Sequence, residues 1–388
     1  MIGKRFMTLT VLAAGVVATV SAAGALAGGG GHDHGNGGGS VTVITTGLEN
    51  PRGLTFGPDG GLYVAEGGSG GILSTIGQCD QALQAGPYTG GFTSRISRID
   101  RYGHRTTVVD GLPSSTTSPN VGSLVSGVAD VKFLDGTLYG IEAGAGCSHG
   151  LAGTVNSVFR VNRNGSTTQV ADLSGFQKAN PPADDTYEED DWEPDGTWYS
   201  MVVSDDSFYA VEPNHQEVDR ISRHGKISRL LDMSAASVAA KQWIGPTTIT
   251  SHDGDFYLGN LSEFPIVPGS ASIFKLTRSG RLSVVATGLS TVLGSAWDDH
   301  GRLFVLESMT AAGFPGPGEV GQGMVVRVDR DGTITPVVTG LSFPSAMTFG
   351  PDDDLYISNL GFAAPAGEIV RVDESCLDRR GSKPPCSY

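Results

Sequence analysis

Basic residues are scarce in this chain: 26 Lys and Arg stand against 41 Asp and Glu over 388 residues, a formal charge of −15. A nucleic-acid partner needs a basic surface for its phosphates, so that class is excluded, and anionic lipid is disfavoured for the same reason. A surplus of one sign suits a monomer whose copies repel one another. Long apolar runs are also missing. Beyond about Val20 nothing approaches the roughly 20 apolar residues that a spanning helix needs, so no membrane insertion is expected. The sequence holds no His-Glu-x-x-His motif, no Cys-x-x-Cys pair and no calcium loop of the D-x-[DN]-x-[DN]-G kind. The standard zinc-protease, zinc-ribbon and EF-hand chemistries are therefore absent.

What is present begins with an export signal. Lys4 and Arg5 precede an apolar and small-residue run from Phe6 to about Val20, and Ala25-Leu26-Ala27 matches an A-x-A cleavage site. Residues 28–40 are nearly all glycine around His32-Asp33-His34, a composition that buries no core and reads as a linker. Loss of residues 1–27 leaves 24 basic against 41 acidic residues, or −17. The mature protein is expected outside the cytoplasm, secreted or periplasmic, where four cysteines form two disulfides. Of the three pairings, spacing favours Cys376 with Cys386 and leaves Cys79 for Cys147.

The 57 glycines fall in turns, and the turns repeat. A strand-like run, a Gly- and Asp-rich turn and an aromatic-containing strand recur six times, roughly 50 to 75 residues apart, near the spacing of propeller blades. The first copy reads Leu54-Thr55-Phe56, Gly57-Pro58-Asp59-Gly60, Leu62-Tyr63-Val64-Ala65-Glu66, and the later copies end at Glu142, Glu212, Asn260, Glu307 and Asn359. A third and a fourth strand follow across turns such as Asn164-Gly165 and Asp331-Gly332, which accept positive φ cheaply. The pattern predicts an all-β, six-bladed propeller of four-stranded antiparallel blades over residues 41–373, with a Cys-bearing tail over 374–388. The sixth copy lacks an outer strand. Val41 to Leu48 carries the pattern of one, as in Ser283 to Leu289, so the N-terminal strand is expected to close the ring.

Strand alternation sorts the connections into two ends. Loops after second strands and loops joining blades share one face, and nearly all the long segments fall there: 67–93, 112–127, 143–156, 175–196, 261–271, 308–323 and 361–366. Elaborated loops on a rigid scaffold are where function sits, so that face is the expected site. Arg52, His149, Trp192, His215 and Phe264 are its candidate binding residues. The six groups that end the second strands, Glu66, Glu142, Glu212, Asn260, Glu307 and Asn359, form a candidate calcium ring, since calcium takes six to eight oxygens. The plainer alternative is that each one bonds backbone N–H groups of its own loop.

The ordered phrases also carry a resemblance. Gly47-Leu48, Asn50-Pro51-Arg52-Gly53-Leu54 and Phe56 to Glu66, then Ala179-Asn180-Pro181, Phe264-Pro265 and Gly367 to Val372, resemble the ScyD/ScyE family of exported bacterial propellers. Single phrases are shared with NHL-type and sugar-lactonase-like propellers. The resemblance implies an extracellular six-bladed propeller without established catalytic residues. After Asn180-Pro181 the chain departs into an acidic run from Asp184 to Asp195. The leading expectation is a non-enzymatic binding or scaffold module for a small molecule, glycan or protein. The rival is a calcium-type hydrolase or lyase acting on a sugar lactone or a similar small polar substrate. A quinone-cofactor dehydrogenase comes third, because no His/Arg/Asn set can be assigned to that cofactor.

Overall fold

Tight reversals set the frame. Gly103, Gly165, Gly225, Gly280 and Gly332, each at the turn between a third and a fourth strand, hold φ between +80° and +85°. A side chain would strain that conformation, so glycine is what lets each outer hairpin reverse across three residues. A computed structural model describes residues 40–82, 85–119, 122–184, 193–240, 242–261, 266–312, 320–362, 367–378 and 384–388. The expected signal and almost all of the linker, and Trp192 and Phe264, lie outside these.

Six antiparallel sheets make a six-bladed propeller. Its innermost strands are Pro51–Phe56, Val128–Leu134, Ser200–Ser204, Pro246–His252, Val292–Trp297 and Ala346–Phe349. Each touches the next around the ring, and the last touches the first. Val41–Leu48 pairs antiparallel with Gly367–Val372, from Val41 opposite Val372 to Leu48 opposite Gly367, so the N-terminal strand completes the last blade.

The apolar core is divided among the junctions between blades. Six clusters of buried side chains fill the six junctions, as flat sheets packed face to face require. Leu54, Leu62, Val64 and Ile99 of the first blade meet Leu48, Tyr356 and Ile369 of the sixth and seal the ring.

Two blades exceed four strands. In the first, the outer hairpin Thr89–Ile99 with Arg105–Thr116 runs well past the body of the blade and gains Val125–Ser126. Residues 89–93, 112–116 and 125–126, all expected as loop, are thus strand. In the fifth, Cys386–Ser387 adds in parallel to Ile334–Leu341. The tail covers an edge there that the repeat pattern leaves bare. Both expected disulfides form: Cys79–Cys147 links loops of the first two blades, and Cys376–Cys386 closes the tail. No helix among the described residues is long and apolar enough to cross a membrane.

Candidate functional site at the channel mouth

The six strand-two termini all accept from backbone N–H groups. Glu66 accepts from the Glu49 N–H at 2.7 Å, Glu307 from Ser290 at 2.6 Å and Asn359 from Ser342 at 2.9 Å. Each donor directly follows a Gly-Leu pair at the end of a preceding outer strand. The side chain thus clips the incoming joining loop onto its blade. Glu212 accepts from Thr197 and His215, Glu142 from Ala143 and Gly144, and Asn260 from Ser272. All six are buried. Among the described residues no three His, Cys, Asp or Glu side chains stand close enough to hold a metal.

Burial acts differently on each carboxyl. Desolvation pushes Glu142 up to about 8 and Glu307 to about 7, with backbone N–H groups as the only opposition. Burial also pushes on Glu212, but the His215 imidazole, 3.0 Å from its Oε2, and the Thr197 and His215 N–H groups hold it below the usual carboxylate range.

His149 and His215 are buried, not presented at the surface. His149 Nδ1 lies 2.8 Å from Ser115 Oγ and its Nε2 lies 3.4 Å from the Gly196 carbonyl. Tyr88 donates to Glu193 beside it, and Asp195 accepts from Ser148 N and Oγ and pairs with Lys178 at 2.5 Å. Burial takes the imidazole down to about 4, so it is neutral at pH 7. This polar knot joins loops of the first three blades next to the Cys79–Cys147 bridge.

Arg52 stands elsewhere. It begins the innermost strand of the first blade, at the loop-side end of the channel, and its side chain is almost fully buried at 6% exposure. Nη2 donates to the Val125 carbonyl at 2.5 Å, and the guanidinium lies 4.5 Å from the Phe362 ring centroid, over its face. Tyr199, from the loop entering the third blade, stands against it. The Tyr199 hydroxyl donates across the ring to the Ser345 carbonyl of the sixth blade, 3.1 Å away. Blades three and six lie opposite each other, so this bond spans the channel. Arg52, Tyr199 and Phe362 therefore cap the channel on the loop side.

Below the cap lies a cavity of about 310 Å³ lined by the innermost strands of all six blades. Its turn-side lining, including Val202, Ser251, Trp297 and Phe349, is only half-buried, so the channel faces that end. Asp130 crosses its wall. It accepts from Met201 N at 2.9 Å, pairs with Lys132 at 2.6 Å, and packs so tightly on Gly53 that a Cβ there would come within 2.0 Å of its Oδ1. Sequence reasoning passed over Tyr199, Asp130 and Phe362. The signal for Asp130 was available: an acid with a lysine two residues on, in an otherwise apolar inner strand. Tyr199 sits in a segment joining two blades and Phe362 in the loop after the sixth blade's second strand, where no pattern marks them.

No protein-family model matches the chain, and no curated protein matches it. Solved structures do. A gluconolactonase from Xanthomonas campestris is 12% identical, with 87% of this chain and 90% of that one covered and a TM-score of 0.53. The soluble aldose sugar dehydrogenase of Escherichia coli is 14% identical, covering 87% and all of the other chain, with a TM-score of 0.51. A Bacteroides thetaiotaomicron protein of unknown function is 10% identical, covering 87% and 76%, with a TM-score of 0.53. At such identities the likeness shows the fold alone.

Proposed function

We propose that this chain is an exported binding module that receives its ligand on the long-loop face. The observation that carries the reading is the difference between the two ends of the channel: on the loop side, excursions from several blades are fixed by a disulfide and by buried polar bonds at His149 and at Arg52. Such a surface is rigid before any partner arrives, and preorganisation of this kind saves ordering entropy on binding. The ScyD/ScyE-like phrases and the two disulfides support an exported module.

The calcium-type hydrolase or lyase remains a second reading because of one atom. Among the described residues, Glu142 Oε2 is buried without a hydrogen-bond partner, a position where a cation would find an oxygen. One experiment separates the two: metal content of the purified chain, with melting curves in and out of chelator. Metal-free protein that melts unchanged in chelator is expected for the module. Stoichiometric calcium, with a melting point that collapses in chelator, would overturn it in favour of the enzyme.

A further inference from the structure

We propose that the Arg52 guanidinium anchors a site for a small organic carboxylate at the loop-side mouth of the channel, a deepening that rests on the loop-face reading above. The starting point is a contrast among arginines. Arg95 pairs with Glu49, Arg105 with Glu66, Arg229 with Glu217, Arg302 with Asp298 and Arg327 with Asp329. Acid is abundant, with 41 Asp and Glu in the chain. Yet Arg52, at 6% exposure, has no carboxylate within ion-pair distance among the described residues. Its company is a carbonyl, an aromatic face and a phenol. Among the described residues, Nη1 is buried without a hydrogen-bond partner.

A guanidinium keeps its proton in proteins, so it cannot escape this position by neutralising. Burying a cation without a counter-charge is costly even after the surroundings relax. A molecule that supplies the missing charge would remove that cost, and the unpartnered Nη1 defines what it must be. The Nη1 hydrogens, with the second hydrogen of Nη2, form one edge of a planar fork, which two coplanar carboxylate oxygens match. Phe362 covers a face of the guanidinium and leaves the edges for hydrogen bonding. Tyr199 directs its hydroxyl proton to Ser345, which leaves its oxygen facing the guanidinium as a neutral acceptor that supplies no counter-charge. A neutral polyol would fill hydrogen bonds but leave the charge unmatched.

The test uses the chain from residue 28 at pH 7, by calorimetric titration and melting. Acetate, malonate and D-glucuronate are the carboxylate probes, inorganic phosphate the tetrahedral anion and D-glucose the neutral control. At least one carboxylate should bind saturably and raise the melting point by roughly 3–5 °C at a hundredfold excess over its Kd. Arg52→Gln should weaken that carboxylate at least tenfold, and Arg52→Lys should weaken it less. Without ligand, Arg52→Met should melt no lower than the parent, because an apolar side chain of similar length leaves no unpaired charge. No carboxylate binding by the parent, or equal binding by Arg52→Gln, would overturn the proposal, as would phosphate binding alone. The parent titration decides even if a variant fails to fold. A neutral glycan held equally by parent and Arg52→Gln sinks the anchor but leaves the loop-face reading standing. A ligand kept by Arg52→Gln and lost in Trp297→Ala, on the turn side of the channel, sinks both.

Discussion

The two ends of the ring hold their chain reversals by different means. On the turn side, strands reverse within a few residues, and the geometry is written in local backbone, as in the Asp135-Gly136 and Asp253-Gly254 pairs with positive φ at both positions. On the loop side, the segments are long and are held by side chains reaching far along the sequence. Glu66 clips Glu49 from 17 residues away, Asn156 Nδ2 reaches the Gly196 carbonyl across 40, and Tyr199 reaches Ser345 across 146. One end is therefore encoded locally and the other by contacts that only the closed ring creates. Perturbations should separate them accordingly.

The largest expected effect strikes both ends at once. Deleting Val41 to Gly47 strips the outer strand from the sixth blade and unseats Leu48, which is fully buried at the closing junction. The exposed edge of Gly367–Val372 would then template aggregation. The truncated chain should lose more than about 10 °C of melting temperature or fail to accumulate folded. A truncation that melts within a few degrees of the parent would show that the strand closes the ring without stabilising it.

This comparison also explains what could be read in advance. Six blades were legible because they repeat a local grammar of alternating strands broken by short turns rich in Gly, Asp and Asn. Ring closure was legible because Val41 to Leu48 copies a fourth strand that the sixth repeat lacks. The elaborated face was legible from strand parity alone. The roles of His149 and His215 were not, because a histidine in a long loop looks the same whether it faces solvent or lies against Ser115 or Glu212. The strand-two termini were ambiguous for the same reason. An acid at a strand end serves a cation or an N–H equally well until the neighbouring loop is placed beside it.

Next in size is the loop-side clip of the third blade. Glu212→Ala leaves the Thr197 and His215 N–H groups and the His215 ring without their acceptor in a fully buried site. Removing one partner of a buried charge-assisted cluster costs about 3–5 kcal/mol, read as a lowered denaturation midpoint with unchanged m-value. A loss under about 1 kcal/mol would mean that the loops hold without their side-chain clips, and the contrast between the two ends would fail.

A pH titration reaches the loop side without mutation. The folded state holds a proton on Glu142 up to about 8, whereas the unfolded chain releases it near the ordinary value of 4.5. The folded state thus binds more protons between those values, and stability falls as pH rises through that window and levels off above it. Glu307, raised to about 7, works in the same direction over a narrower range. Melting temperature should decline from pH 5.5 to 8.5, and Glu142→Gln should remove up to one proton of slope, at most ~1.4 kcal/mol per pH unit. An unchanged slope in that variant would place the titration elsewhere.

The smallest effects belong to the turn side, and there the backbone should matter more than any side chain. In the turn of the fifth blade, the Asp331 carboxylate accepts from Thr333 N at 2.9 Å, and that bond holds the acid below its usual range in an exposed position. Asp331→Ala removes one solvent-competing bond and should move the melting point by no more than about 1 °C. Gly332, next along, sits at φ +84°, and a Cβ there would stand 3.1 Å from the Val285 carbonyl. Gly332→Ala should therefore cost about 1–2 kcal/mol, although it deletes no contact. If the aspartate proved the more costly of the two, side chains would be holding this end as well, and the two ends of the ring would be built alike.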